Sequence, residues 1–219
     1  MSNKTSNQLS KLSSEFNGSR RISVFSWGLI GVRVYDDAET ALRVIDLFAD
    51  ENLPIDIKAS ILPKMLFVDP EAVLENIDDL SWFLDALLWE LCGLDITDSR
   101  KRENSEKIID WNDDEAYLSA SLFAAYGRTY EELKRELPFR ELCQIIGLVP
   151  FETPMGQALY YRTAKPPKPT KNNQEERRAF KERQRFFALK KHETKERYAS
   201  MNDAATSAFA ALKGVSVDG

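Results

Sequence analysis

The sequence has few of the residues on which metal and redox functions depend. It contains two cysteines and one histidine in 219 residues. Cys92 and Cys143 are isolated in apolar sequence, so we expect buried free thiols rather than a disulfide. His192 has no cysteine or histidine at zinc-site spacing, and no glycine-rich phosphate-binding loop occurs. The sequence therefore predicts no metal site and no cofactor.

Long apolar runs are also absent. No stretch of 18 or more apolar residues occurs, so we expect no membrane-spanning helix and no membrane partner. Residues 1–20 are rich in serine, asparagine and lysine and lack the apolar segment of a signal peptide. We therefore expect these residues to form a flexible tail, and we expect the protein to stay in the cytoplasm of the cell that makes it.

Catalytic arrangements are missing as well. Neighbouring carboxylates occur at Asp36-Asp37, Asp78-Asp79 and Asp113-Asp114, and such pairs can serve acid–base chemistry or hold a divalent metal. Helix caps and solvated helix faces explain them more simply. We expect a protein that is not an enzyme and has no catalytic residues.

The composition permits a helical domain with an uneven distribution of charge. Hydrophobic residues make up 43% of the chain and charged residues 30%, which suits a soluble domain with a real core. Residues 1–160 carry 16 basic and 28 acidic side chains, whereas residues 161–200 carry 13 basic and 5 acidic ones. An acidic body is thus followed by a basic arm.

The stretch of residues 69–93 has the clearest structural signal. Asp69 suits an N-cap, Pro70 the first helical position, and Gly93 the C-terminal stop, so the sequence predicts one continuous helix. Seven apolar side chains fall on one side of that helix. They are Val73, Ile77, Leu80, Leu84, Leu87, Leu88 and Leu91.

Trp82 and Trp89 lie about opposite to this apolar side. One interpretation is a second packing layer against helices of residues 113–147. The other is a surface that binds a partner helix or a second copy, because aromatic side chains concentrate binding energy.

Other helix signals extend on both sides of this stretch. Asp36 or Asp37 is expected to cap a helix that runs to about residue 51. Thr129 and Glu132 have the spacing of a capping box. The apolar, aromatic segment 22–35 predicts a hairpin or an extended segment. We therefore predict an all-α fold over residues 21–163, a compact multi-helix domain with a minor N-terminal β element.

The character of the chain changes after this domain. Residues 164–173 form a Pro/Lys linker, residues 174–200 are expected to form a basic helix that projects from the body, and residues 201–219 a flexible tail. The basic helix has three interpretations: a solvated arm, a docking element for an acidic partner or another copy, and a nucleic-acid-binding element. Glutamates interspersed along it and the acidic body argue against nucleic acid.

The run from residue 110 to residue 162 resembles a family of tail-assembly proteins of long-tailed bacteriophages. The similar elements come in the same order and lie between about residues 33 and 189. They are residues 34–54 and 84–93 in the first half, and then Asp110-Trp111, Tyr126-Gly127, Phe139, Leu142, Gly147-Leu148, Tyr161-Arg162 and the segment Phe186–Leu189. The genes of this family lie between those for the major tail protein and the tape-measure protein.

This resemblance implies a tail-assembly chaperone without catalytic activity. Such a protein would bind the phage tape-measure protein and the major tail protein or other tail-tube subunits, as a homo-oligomer. It would act in the host cytoplasm of an infected bacterial cell and be absent from the mature virion. The alternatives are a nucleic-acid-binding or regulatory accessory protein and a structural virion component. The candidate partner-binding residues are Trp82, Trp89, Phe139, Arg177, Arg178, Lys181, Arg185 and Phe187.

Overall fold

A computed structural model describes residues 8–93 and 108–189 of the chain. These residues divide into two compact units. Unit 1 consists of residues 8–93 and 134–142, and unit 2 of residues 108–133 and 143–189. Three strands and nine helices occur in this part of the chain, so the fold is mainly helical with a small N-terminal sheet. The predicted features at residues 94–107 and 190–219 lie outside the described residues.

The sheet of unit 1 is antiparallel and consists of β1 (Leu9–Phe16), β2 (Arg21–Trp27) and β3 (Ile30–Tyr35), in that order. The β2–β3 hairpin confirms the minor β element, and its β-branched and aromatic residues place Phe25 and Val32 in the core. The prediction of a flexible tail is wrong for Leu9–Phe16. Most of these residues are polar and all but Leu9 are exposed, and they form a strand because they pair with β2 along its length.

Ion pairs also attach β1 and the start of β2 to the N-terminal end of the first helix, α1 (Ala38–Ala49). The buried carboxylate of Asp36 accepts hydrogen bonds from Lys11 Nζ at 2.5 Å and from Arg21 Nε at 3.0 Å. The buried carboxylate of Asp37 accepts one from Arg20 Nε at 3.1 Å and caps α1 by accepting the Thr40 N–H at 2.7 Å. The adjacent aspartates are therefore structural, and the predicted cap at this position is confirmed.

The remaining helices of the N-terminal part are α2 (Ile55–Leu66), α3 (Pro70–Asn76) and α4 (Leu80–Cys92). The single helix predicted over residues 69–93 is thus wrong, since residues 77–79 are not helical. Both predicted ends are confirmed. Asp69 accepts the Ala72 N–H at 3.1 Å, and Gly93 takes the left-handed conformation with φ 69°. The apolar side remains in the core across the break, because Ile77 stays buried between the two helices.

Aromatic contacts join the sheet to α4. Phe83 is fully buried, and its ring centroid lies 5.5 Å from that of Trp27 in β2. The Phe67 ring, which follows α2, stacks on Phe83 at 5.9 Å. Leu84, Leu87 and Leu88 complete this layer of the core.

The later helices are α5 (Glu115–Tyr126), α6 (Tyr130–Glu136), α7 (Phe139–Gly147), α8 (Pro154–Thr163) and α9 (Gln174–Phe187). The predicted capping box begins α6. The Thr129 N–H donates to Glu132 Oε2 at 2.8 Å, and the Glu132 N–H donates to Thr129 Oγ1 at 3.2 Å. Hydrogen bonds from Thr129, the backbone one foremost, lower the pKa of the Glu132 carboxyl from 4.5.

The basic helix α9 differs from the prediction in two ways. It ends at Phe187, because Ala188 and Leu189 are not helical, whereas the sequence predicted a helix to residue 200. It also packs on α8 instead of projecting. Residues 164–170, before α9, contain neither helix nor strand.

Candidate partner-binding surfaces

An aromatic surface lies on the outer side of α4. Trp82 is 61% exposed and Trp89 is 47% exposed. The two are seven residues apart, which places them on the same side of the helix, about 10 Å apart along its axis. The leucines of α4 occupy the opposite side and are buried. Within unit 1 both indoles are therefore exposed, and we call Trp82 and Trp89 the tryptophan surface.

The surroundings of the tryptophan surface are acidic. Seven carboxylates and no lysine or arginine occur between residues 69 and 93. On α3, α4 and the turn between them, Glu71, Glu75, Asp78, Asp79 and Glu90 are exposed and Asp85 is half-buried. A negative potential at an exposed aromatic pair favours a partner that brings positive charge together with apolar area.

Arg140 already shows how this surface receives a cation. Its guanidinium lies over the Trp89 ring at 6.0 Å from the centroid, and its Nη2 donates to the Trp89 carbonyl at 2.9 Å. That carbonyl belongs to the last turn of α4, where cations are favoured by the helix dipole. The preceding residue, Phe139, is half-buried. Of the residues predicted at this site, Trp82 and Trp89 offer the larger exposed area.

A second surface lies on the outer side of α9. Arg178, Lys181 and Arg185 are exposed, and together they form what we call the cationic surface. They border a shallow groove of about 430 Å³ with Pro169 and Thr170 of the preceding segment. Arg178 pairs with Glu182 at 3.2 Å, an exposed i,i+4 contact. Exposed pairs of this kind contribute little to stability and are easily replaced by a partner.

Two of the predicted binding residues have structural contacts instead. The Arg177 Nη1 donates to the Pro167 carbonyl and so fixes the linker against α9. Phe187 is buried, and its ring stacks on Tyr161 with centroids 5.8 Å apart and planes at 2°. The prediction that Phe187 faces a partner is therefore wrong, whereas its neighbour Phe186 is 72% exposed.

A buried ion pair holds this part of unit 2 together. The Arg162 guanidinium donates to both carboxylate oxygens of Asp114, from Nη1 at 2.6 Å and from Nη2 at 2.8 Å. The same side chain donates to the carbonyls of Phe187 at 2.6 Å and Ile108 at 2.8 Å. Arg162 and Asp114 expose only 8% and 3% of their side chains. One arginine thus fixes both α5 and the end of α9 relative to α8.

Sequence reasoning missed this pair. Asp113-Asp114 was interpreted as a helix cap. Asp114 does occupy the N-cap position of α5, but its side chain makes no capping hydrogen bond and accepts the Asp110 N–H at 2.9 Å instead. The pairing with Arg162 joins residues 48 positions apart, and no local pattern indicates such a contact. The Tyr161-Arg162 element of the family resemblance was the available signal, although it did not identify the partner.

The prediction of free thiols is confirmed for Cys92 and Cys143, although both are half-buried instead of buried. Burial raises the pKa of the Cys143 thiol to about 11. A thiol with a raised pKa is largely protonated at neutral pH and therefore a poor nucleophile.

Within residues 8–93 and 108–189, no group of three or more metal-ligating side chains comes together. In the same ranges, no helix combines the length and the apolar composition that crossing a membrane requires.

Comparison with known proteins gives one match. Residues 33–189 match the family model described as Bacteriophage Gp15 protein. No match was found among curated proteins or among solved structures. The matched range includes α1 to α9 and both surfaces described above, and it begins within β3.

Proposed function

Since the chain belongs to the Bacteriophage Gp15 protein family, we propose that it is a non-catalytic tail-assembly chaperone. It binds segments of the phage tape-measure protein and assists assembly of the tail tube. It acts in the cytoplasm of the infected bacterium and is absent from the mature virion. The resemblance described from the sequence supports this role, together with the exposed aromatic pair of α4.

The tryptophan surface is the observation that carries the proposal. Covering the exposed part of one indole removes on the order of 100 Å² of apolar area from water, which is worth roughly 3 kcal/mol. Trp82 and Trp89 would together contribute enough to dominate a helix-sized contact. They lie in line on one helix, which suits an elongated helical ligand.

The carboxylates around the tryptophans define the ligand further. A tape-measure segment that fits would place aliphatic residues against the indoles and lysine or arginine toward Asp78 and Glu90. An acidic segment would be repelled. The chaperone would thus cover apolar stretches of the long helical tape-measure protein.

Co-expression with the tape-measure protein tests the proposal. The tagged wild-type chain should capture the tape-measure protein, and Trp82→Ala with Trp89→Ala should reduce capture at least about tenfold, given the size of the indole contribution. Circular dichroism and thermal unfolding check that this variant folds. Phe123→Ala is a matched control, because Phe123 is 60% exposed on unit 2 and lies outside α4.

Unchanged capture by the folded double variant would refute the role of α4, and failure of the wild-type chain to capture any tape-measure segment would refute the chaperone function. Mass spectrometry of purified particles tests the location. The chain should be missing from particles and present in infected-cell lysate. Stoichiometric presence in particles would instead indicate a structural virion component.

A further inference from the structure

We propose that this protein self-associates by docking the cationic surface of α9 in one copy on the tryptophan surface of α4 in a second copy. The contact is between two helices. At its centre, the guanidinium groups of Arg178 and Arg185 in one copy lie over the indoles of Trp82 and Trp89 in the other. It uses the tryptophan surface that the proposed function assigns to the tape-measure protein, so the two ligands would compete for that surface. The contact is tested on the purified chain without tape-measure protein, so its failure is distinguishable from failure of the proposed function.

Charge complementarity is the first argument. The α3–α4 segment carries seven carboxylates and no basic residue between residues 69 and 93. Eight lysines and arginines and three glutamates lie between residues 165 and 189. Opposite potentials on two helices attract over a Debye length and align the helices on encounter. Like surfaces of two copies, α4 against α4, would instead repel.

Matching spacing is the second argument. Trp82 and Trp89 are seven residues apart, and Arg178 and Arg185 are also seven residues apart. Both pairs therefore repeat at about 10 Å along one side of their helix. The two helices have nearly the same length, 13 residues for α4 and 14 for α9. Packed side by side, they place one guanidinium over each indole.

The chemistry of the contact is already present within unit 1. Arg140 lies over the ring of Trp89 at 6.0 Å from its centroid, so the surface accepts a guanidinium. Trp82 lies one heptad earlier and is more exposed. When two copies associate, Arg178 of α9 leaves its exposed ion pair with Glu182 and packs on the face of an indole ring instead. Lys181, between the two arginines, then approaches the carboxylates that flank the indoles.

A second copy matches both surfaces at once, whereas a tape-measure segment matches the tryptophan surface alone. Every copy carries both surfaces in equal amount, so the contact is heterologous and each copy can accept one neighbour and offer itself to the next. Nucleic acid would match the arginines of α9 but would be repelled by the carboxylates of unit 1. It would also leave the tryptophan surface uncovered.

Complementation between two variants tests the contact. Variant A carries Trp82→Ala and Trp89→Ala and keeps α9. Variant B carries Arg178→Glu and Arg185→Glu and keeps α4. Sedimentation velocity of the wild-type chain should show concentration-dependent assembly that weakens at high salt. Each variant alone should assemble at least about tenfold more weakly, because both cation–π contacts are lost. An equimolar mixture should form a one-to-one dimer.

The control variant carries Arg43→Glu and Lys64→Glu, which changes the net charge as much as variant B does but at exposed sites on α1 and α2, outside both surfaces. It should assemble like the wild type. A wild-type chain that stays monomeric at all concentrations would overturn the proposal. Normal assembly of variants A and B would also overturn it. Weak assembly of both variants without dimer formation in their mixture would overturn it as well. Binding of a single-stranded oligonucleotide by a monomeric wild-type chain would assign α9 to nucleic acid instead.

Discussion

Removal of the Arg162 guanidinium should be the most damaging polar substitution in unit 2. Arg162→Met keeps the apolar stem but leaves the buried Asp114 carboxylate without its two strongest donors. It also removes the donors to the Phe187 and Ile108 carbonyls. Breaking a buried pair from one side costs about 3–5 kcal/mol. Since a domain is stable by only about 5–15 kcal/mol, unit 2 should be close to unfolding.

Urea denaturation and hydrogen exchange measure this loss. The unfolding free energy should fall by about 3 kcal/mol or more, and amides of α5 and α8 should exchange much faster. Amides of β2 and α4, which belong to unit 1, serve as an internal reference. Arg178→Ala is the matched control, because the pair of Arg178 with Glu182 is exposed and worth at most about 1 kcal/mol.

A double-mutant cycle identifies the cause. Asp114→Asn removes the charge that Arg162→Met leaves unpaired, so the double variant should be more stable than the sum of the two single losses predicts. A loss of less than about 1 kcal/mol for Arg162→Met, equal to that of the exposed control, would refute the reasoning. The Arg162–Asp114 pair would then contribute no more to stability than an exposed ion pair does.

Three further predictions concern packing, acid and the core. Gly156→Ala should destabilise α8 by about 2 kcal/mol or more in urea denaturation, because a Cβ there would collide with the Pro150 carbonyl; normal stability would contradict this. Glu132→Gln should make helix content less sensitive to acid. The lowered pKa of the Glu132 carboxyl gives stability that is present above pH 4.5 and is lost as the pH falls through the lowered pKa. An acid titration of helix content that the substitution leaves unchanged would argue against this. Phe83→Ala should cost unit 1 about 3–5 kcal/mol in thermal or urea unfolding, and a loss below 1 kcal/mol would show a core that repacks.

Local signals in the sequence predicted the helix ends and the acidic–aromatic surface. Asp37, Asp69 and the Thr129 capping box were identified because a cap requires particular side chains within three residues. Gly93 was identified because the left-handed end of a helix favours glycine. The periodicity placed Trp82 opposite the apolar side of the helix but left open whether a second packing layer covers it.

Features that depend on distant partners were missed. The break between α3 and α4 leaves the apolar side in phase, so the periodicity shows no interruption at Ile77. Strand β1 has a polar sequence and becomes a strand through β2. Phe187 sits in a basic, hydrophilic helix, and only its contact with Tyr161 shows that it belongs to the core. The basic residues of the cationic surface were predicted, but the sequence did not show that Phe187 is buried while Phe186 is exposed.

The β1–β2 hairpin, which lies before residue 33, has a consequence for any shortened form of this protein. Asp36 and Asp37 lie inside residues 33–189, whereas Lys11, Arg20 and Arg21, which neutralise them, lie before residue 33. A fragment cut at the family boundary would keep two buried anions and discard their counter-ions, together with the strand that covers β3. In this chain the matched segment is therefore not self-sufficient, because its first helix is completed by residues that lie outside the match.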